Sequence, residues 1–325
     1  MIDEHGNNCC PYCLPRICNK GKPEEKTYWV HAFVTFILIF PGGFELPIYV
    51  YPLKAFQIDA SKNDKELKQE CELTAFYAVL PQLRQKLGRI SLTILLDSLY
   101  ANEPVIKLIK KLHMLYFIVR QDESLKNVGR QCDELEVTEL YQKSYNNKRI
   151  IKLKSGGEIE QKIKWFNKVT VGKETFTNVL RFEEVEKNKA GTVVDTYKNE
   201  WLSEEKIDKN NCFNLAARGR MRFSGHEDMH NSLKNRGFNA KHDYARTHPN
   251  RMIIWKLLMF VAFGVMELFS FTALAREAKG TRSWKKFSKD LLQELVGNSW
   301  YIIYASESIQ KKKIQFRFIF GEPSG

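Results

Sequence analysis

The chain has 325 residues, of which 43% are hydrophobic and 12% aromatic. This is enough apolar material for a sizeable core, and it excludes a disordered basic tail protein. With 51 Lys and Arg against 38 Asp and Glu, the net charge is +13. The excess is +9 after residue 200 (21 basic, 12 acidic) and +4 before it (30 basic, 26 acidic). A basic C-terminal third is typical of a polyanion-binding protein, with nucleic acid the commonest partner, or of a solubilising surface charge.

Residues 28–40 and 45–53 are two β-branched and aromatic runs around a Pro-Gly-Gly turn, a pattern that predicts a β-hairpin. Residues 63–87 then follow a helical period that predicts a helix, with Pro81 as a kink or break. Gly88 is the expected C-cap of this helix.

A strand, a helix and a strand follow at the spacing of a βαβ unit. Ile90–Leu96 is a buried-strand run, and Leu115–Val119 is another. Asn102 is placed to cap the intervening helix, which runs to about His113. We therefore expect the two strands to pair in parallel.

Residues 125–202 alternate short β-like runs with Asn, Gly and Lys turns, which predicts a mostly antiparallel insertion. Beyond them the pattern is helical at 213–236 and 250–277, and the last strands are expected at 300–304 and 314–320. The sequence thus predicts an α/β fold.

The chain has seven Cys and no recognisable secretory signal, so a reducing cytoplasm fits better than a disulfide scaffold. Its strongest membrane candidate, Leu257–Met266, is closed by Lys256 and Glu267 after ten residues. A span needs about twenty. We therefore expect a buried core helix, a cytoplasmic location and no membrane partner.

Asp97 directly follows the first strand of the βαβ unit, which is where parallel α/β sheets place active sites. The alternative is that Asp97 only caps the next turn. A second feature, residues 218–238, combines arginines with Glu227 and Lys234, which are seven apart and so share a helix face. A carboxylate beside basic groups suits a metal ion and phosphates, or a solvated helix face with salt bridges.

Several segments, in order, resemble the DDE transposases of bacterial insertion sequences. They are Q-E-C-E-L-T-A-F at 69–76, L-L-D-S-L-Y-A-N at 95–102, T-Y-K-N-E-W-L at 196–202, A-R-G-R-M-R-F at 217–223, N-S-L-K-N-R-G-F-N at 231–239 and K-I-Q-F-R-F at 313–318. The resemblance implies an RNase H-like mixed sheet flanked by helices, interrupted by a mostly antiparallel β insertion. Its parts would be an irregular Cys-containing segment at 1–27, core at 28–124, insertion at 125–202, and core with the glutamate helix at 203–325.

The resemblance also implies the chemistry: metal-dependent DNA strand cleavage and strand transfer, with in-line displacement at phosphorus. Asp97 and Glu227 would hold Mg²⁺ or Mn²⁺ ions. DNA phosphates would be contacted by Arg220, Arg222, Lys234 and Arg236. The implied partners are double-stranded DNA, as transposon ends and target, and a second copy of the chain. The implied location is the nucleoid.

Two departures from the family pattern matter. A gapless match puts the last acid at His226; the spacing to Lys234 favours Glu227, with Asp228 as a further candidate. The family's first aspartate precedes C-P-Y-C-L, here at 10–14, by about a dozen residues, so it is expected before residue 1, and Asp3 has no strand around it. We therefore expect an N-terminally truncated transposase with an incomplete metal triad, either impaired or a non-catalytic DNA-binding remnant.

A zinc protein unrelated to DNA is the third hypothesis. Its ligands would come from a soft-ligand cluster made of His5, Cys9, Cys10, Cys13 and Cys18. The motif H-E-D-M-H at 226–230 also has the spacing of a zinc protease. The other interpretations are reduced thiols at the N-terminus and a DNA-facing helix.

Overall fold

A computed structural model describes part of the chain. The described residues are 13–18, 26–40, 45–53, 64–138, 141, 144–235, 249–270, 272, 277, 279–281 and 286. Within them, side chains at 13–18, 26–31, 64–71, 223–228, 230, 235 and 249–252 lie outside the description. The strands predicted at 300–304 and 314–320 lie outside it entirely.

Two separate antiparallel pairs open the fold. Strands β1 (Cys13–Cys18) and β2 (Lys26–His31) form one, and β3 (Phe33–Ile39) and β4 (Glu45–Pro52) form the other. The predicted hairpin is therefore confirmed for β3 and β4. The apolar run before it is divided between β2 and β3 at Ala32.

Helix α1 (Asp64–Leu87) matches its prediction and is continuous through Pro81. Gly88 follows it with a φ of +63°, a left-handed conformation in which a glycine C-cap costs little. The helix buries Phe76 and Leu80 in the core.

The βαβ unit is confirmed. Strand β5 (Thr93–Leu96), helix α2 (Glu103–Lys111) and strand β6 (Leu115–Arg120) follow in order, and β5 pairs with β6 in parallel. The Asn102 side chain accepts a hydrogen bond from the Val105 amide at 3.0 Å, which satisfies one of the unpaired donors at the start of α2.

Six of the described strands form one mixed sheet. After β6 come helix α3 (Lys126–Glu136) and strands β7 (Asn146–Lys152), β8 (Glu158–Thr170), β9 (Phe176–Lys187) and β10 (Val193–Ser203). The strand order is β5-β6-β10-β9-β8-β7, with β10 antiparallel to both β6 and β9. The strands of the predicted insertion thus extend the same sheet that contains the βαβ unit.

Alternate residues along the strands feed two cores, one on each face of the sheet. On β10, Trp201 and Leu202 point to opposite faces, and both are buried. Leu202 joins Ile106 of α2 and Val128 of α3, whereas Trp201 packs with Leu215 of helix α4 (Cys212–Asn235). Helices therefore flank the sheet on both sides, as predicted.

Helix α5 (Pro249–Ser270) contains the apolar segment Leu257–Met266 and extends beyond it at both ends. The expectation that this segment forms a buried core helix is wrong for the face of α5 that points away from the protein. Phe260 and Phe263 pack with Met229 of α4 and apolar residues of β3 and β4. The opposite face exposes large apolar side chains: Ile254, Leu258, Val261, Val265 and Leu268. Ile253–Ser270 is long and apolar enough to cross a membrane, and 28% of it is buried. This is weak evidence for a span, since α5 also packs on the protein.

Candidate functional site

Asp97 lies at the C-terminal end of β5, directly after buried Leu96. Its Oδ1 accepts a hydrogen bond from the Leu99 amide at 3.1 Å and so caps a 3₁₀ turn formed by Ser98–Tyr100. The capping alternative is therefore correct as far as Oδ1 is concerned. The capping hydrogen bond does not involve the second carboxylate oxygen, Oδ2.

Arg222, on α4, supplies the partner of Oδ2. Its Nη2 donates to Asp97 Oδ2 at 3.2 Å, across 125 residues of sequence. The side chains are 43% exposed for Asp97 and 21% for Arg222. This ion pair joins the third turn of α4 to the tip of β5, so the two sequence features come together in space.

Close packing positions α4 for this contact. A Cβ atom at Gly219 would lie 2.6 Å from Phe117 Cε1 and 2.7 Å from Trp201 Cε2, far inside van der Waals contact. Glycine therefore lets the helix backbone approach the sheet next to Phe117 and Trp201. Arg222 lies three residues further, almost one turn along the same helix.

Tyr100 interacts electrostatically with both members of the ion pair and with Glu72. The sequence analysis assigned neither Tyr100 nor Glu72 to the site. Tyr100 is buried, and its ring centroid lies 4.8 Å from that of Phe76. Desolvation raises the pKa of the Tyr100 hydroxyl; the charges of Glu72 and Asp97 raise it further, and Arg222 opposes them. Two carboxylates and a guanidinium therefore act on one buried phenol. The only sequence signals were the position of Glu72 within the 69–76 segment and that of Tyr100 within the 95–102 segment.

The two arginines that precede Arg222 on α4 also contact carboxylates. Arg218 Nη1 lies 2.6 Å from Glu205 Oε2, and Arg220 Nη1 lies 2.7 Å from both carboxylate oxygens of Glu184 on β9. Arg220 also lies 4.9 Å from the centre of the Tyr197 ring. Both guanidinium side chains remain exposed enough to reach solvent. The fold thus supplies counter-charges to this arginine-rich segment from other elements of the structure.

Glu227 lies on the helical backbone of α4, five residues after Arg222, but its side chain is outside the description, as is that of Asp228. By helical periodicity, position 226 follows Arg222 by about one turn and lies on the same face of α4. Position 227 is rotated about the helix axis by about 100° from position 226. Lys234 is described and exposed, whereas Arg236 is not described.

The described residues do not by themselves fit a divalent ion. Among them, no group of three His, Cys, Asp or Glu side chains is placed to hold a metal. Asp97 has the position that the sequence predicted for a metal ligand, but its Oδ2 contacts a guanidinium. Of the predicted zinc ligands, Cys13 and Cys18 are described only as backbone of β1, and His5, Cys9 and Cys10 lie outside the description, as does Asp3.

No protein-family model matches the chain, and no curated protein matches it.

Proposed function

We propose that this chain is a DDE-type DNA transposase with an RNase H-like core, and that it acts on double-stranded DNA. One observation carries the proposal: Asp97 at the tip of a parallel strand contacts Arg222 on α4, the helix that also bears Glu227. Two-metal phosphoryl transfer uses carboxylates that converge on a pair of ions, and in the family that the sequence resembles these carboxylates come from a strand tip and from a neighbouring helix.

The order of elements supports the same proposal. A parallel βαβ unit leads to Asp97, and an antiparallel meander, β7–β10, separates this unit from α4. This matches the β insertion and the late glutamate helix that the resemblance implies. In the proposed enzyme, Mg²⁺ or Mn²⁺ supplies Lewis-acid chemistry at phosphorus when bound.

In the proposed DNA complex, exposed basic side chains bind phosphates. Lys234 projects from the last turns of α4 and is exposed, and Arg220 is partly exposed beside Tyr197. Phosphate contacts release counterions, so affinity should fall steeply with salt. Lys234→Gln is expected to lower the salt slope by about one ion. The proposed complex contains two copies of the chain across paired DNA ends, which light scattering of the complex would test.

A second candidate is a DNA-binding protein that does not cut. The pairing of Asp97 with Arg222 favours it, because a carboxylate that neutralises an arginine is not free for a metal ion. The residue at position 226 favours this candidate too. A gapless match to the family places the last metal-binding acid there, on the Arg222 face of α4, and this chain has His instead.

A cleavage assay with the full chain separates the two. Duplex DNA carrying the terminal repeats that flank the coding frame would be incubated with Mg²⁺ or Mn²⁺, and binding would be measured in parallel. Transposase function predicts nicks that Asp97→Asn abolishes and that Glu183→Gln, a charge-matched change on β9, leaves intact. Salt-dependent binding without nicks would support the second candidate. Absent or salt-insensitive binding would contradict both, and stoichiometric zinc in the purified chain would favour a zinc protein.

A further inference from the structure

We infer that Arg222 is an internal competitor of divalent cations at Asp97: its guanidinium occupies the carboxylate oxygen that such an ion would bind. The inference rests on the proposed function, which makes Asp97 a metal ligand, and it names the residue of this chain that controls access to that ligand.

Both oxygens of the Asp97 carboxylate have partners. Oδ1 accepts the Leu99 amide at 3.1 Å, and Oδ2 accepts Arg222 Nη2 at 3.2 Å. A magnesium ion binds carboxylate oxygen at about 2.0–2.1 Å and demands octahedral geometry. An ion at that distance from Oδ2 would lie against the guanidinium, so two cations would compete for one oxygen. The guanidinium must therefore withdraw before Oδ2 can bind a metal.

The fold holds Arg222 in place for this competition. Gly219 brings α4 against Phe117 and Trp201, and Leu215 and Ala216 are buried one turn earlier. The helix therefore cannot slide away from β5 without opening the core.

Arg222 also differs from the two arginines that precede it. Arg218 and Arg220 pair with Glu205 and Glu184, away from the strand tip, and their side chains are more exposed than that of Arg222. Arg222 alone of the three contacts the proposed metal ligand. Arg218 is therefore a charge-matched control, since removing it changes the net charge equally but leaves Asp97 paired.

Binding of Tb³⁺, a hard oxygen-seeking cation, measures the competition directly. Asp97 acts electrostatically on Tyr100, so excitation of tyrosine should sensitise Tb³⁺ bound at this carboxylate. The full chain would be titrated as wild type, Arg222→Gln, Arg222→Lys, Arg218→Gln, Asp97→Asn and the Arg222→Gln/Asp97→Asn double variant. Circular dichroism and thermal unfolding would verify that each variant folds.

The inference predicts that Arg222→Gln binds Tb³⁺ at least about tenfold more tightly than wild type, because a unit positive charge within about 5 Å repels a trivalent ion by more than a tenfold factor in affinity even at the dielectric constant of water. The double variant should lose the gain. Arg218→Gln should stay near wild type, and so should Arg222→Lys, which keeps the charge on a shorter reach. Arg222→Lys also keeps the test decisive if Arg222→Gln unfolds, since a large gain there would contradict charge competition.

The inference is overturned if Arg222→Gln binds Tb³⁺ no better than Arg218→Gln, or if its gain survives Asp97→Asn. The readout needs no DNA, so the two proposals fail separately. A chain that cuts DNA while Arg222→Gln shows no gain refutes the competition alone. A gain at Asp97 in a chain that never cuts DNA refutes the transposase proposal alone.

Discussion

Glu200 on β10 is a largely buried carboxylate shared by two arginines, so its loss should harm the fold. Its Oε1 accepts from Arg120 Nε of β6, and its Oε2 accepts from Arg181 Nε of β9 at 2.7 Å. The Glu200 side chain is 12% exposed and that of Arg120 only 5%. Glu200→Gln keeps the shape of the side chain and removes its charge, so two guanidinium groups lose their shared counter-ion.

The magnitude follows from what each arginine retains. Removing one partner of a buried ion pair costs about 3–5 kcal/mol, because it leaves a buried charge uncompensated. Arg120 keeps two backbone acceptors, the carbonyls of Gln121 and Ser124, at 3.3 and 3.2 Å. Arg181 keeps carboxylates of α3 at 2.6 and 2.7 Å. We therefore expect Glu200→Gln to lower the unfolding free energy by about 3 kcal/mol, the low end of that range.

Urea unfolding followed by circular dichroism measures this loss as a lower midpoint at an unchanged slope. Glu183→Gln on β9 is the matched control, because Glu183 pairs with Lys198 at 2.8 Å where Lys198 is exposed and Glu183 is partly exposed. An exposed pair is worth at most about 1 kcal/mol. The reasoning is refuted if the unfolding free energies of Glu200→Gln and Glu183→Gln differ by less than about 1 kcal/mol.

Two further predictions concern packing and pH. Gly219→Ala should lower the unfolding free energy by about 1–3 kcal/mol, because the added Cβ atom would overlap Phe117. Thermal unfolding of the variant beside wild type would measure this loss. An unchanged midpoint would mean that α4 can shift away from the sheet freely. Hydrogen bonds from Lys148 and two other lysines lower the pKa of Glu160 to about 2, from an ordinary 4.5. A lowered pKa stabilises the fold above pH 4.5, and this contribution is lost as the pH falls towards 2. The stability gap between wild type and Glu160→Gln should shrink over that window, and a gap that stays constant as the pH falls would contradict the prediction.

Local patterns predicted the part of the fold that depends on neighbours in sequence. Asn102 caps α2 and Asp97 ends β5 because turn chemistry and strand period act over a few residues. The attachment of β10 to β6 was not predictable in the same way. Alternation on β10 shows that Trp201 and Leu202 face opposite sides, but it does not name the strand alongside.

The candidate site also contains residues that local patterns identify and contacts that only the fold determines. Asp97 was identified from its strand, but its partner Arg222 lies 125 residues away and was interpreted as a DNA contact. A basic run does not reveal where the fold places its counter-charges, which here are Asp97 directly after β5, Glu184 on β9, and Glu205. The apolar run of α5 likewise predicted burial without showing that only one face of the helix packs.

The junction of β6 with β10 has a consequence for how the chain folds. Arg120 and Glu200 meet across 80 residues, so closing that loop costs about 4 kcal/mol of chain entropy, against under about 2 kcal/mol for the β9–β10 turn. The β7–β10 meander should therefore form early and dock on β6 late. In pulsed hydrogen exchange during refolding, amides of β8 and β9 should gain protection before those of β6. Simultaneous protection of all three strands would instead indicate that the sheet assembles in one cooperative step.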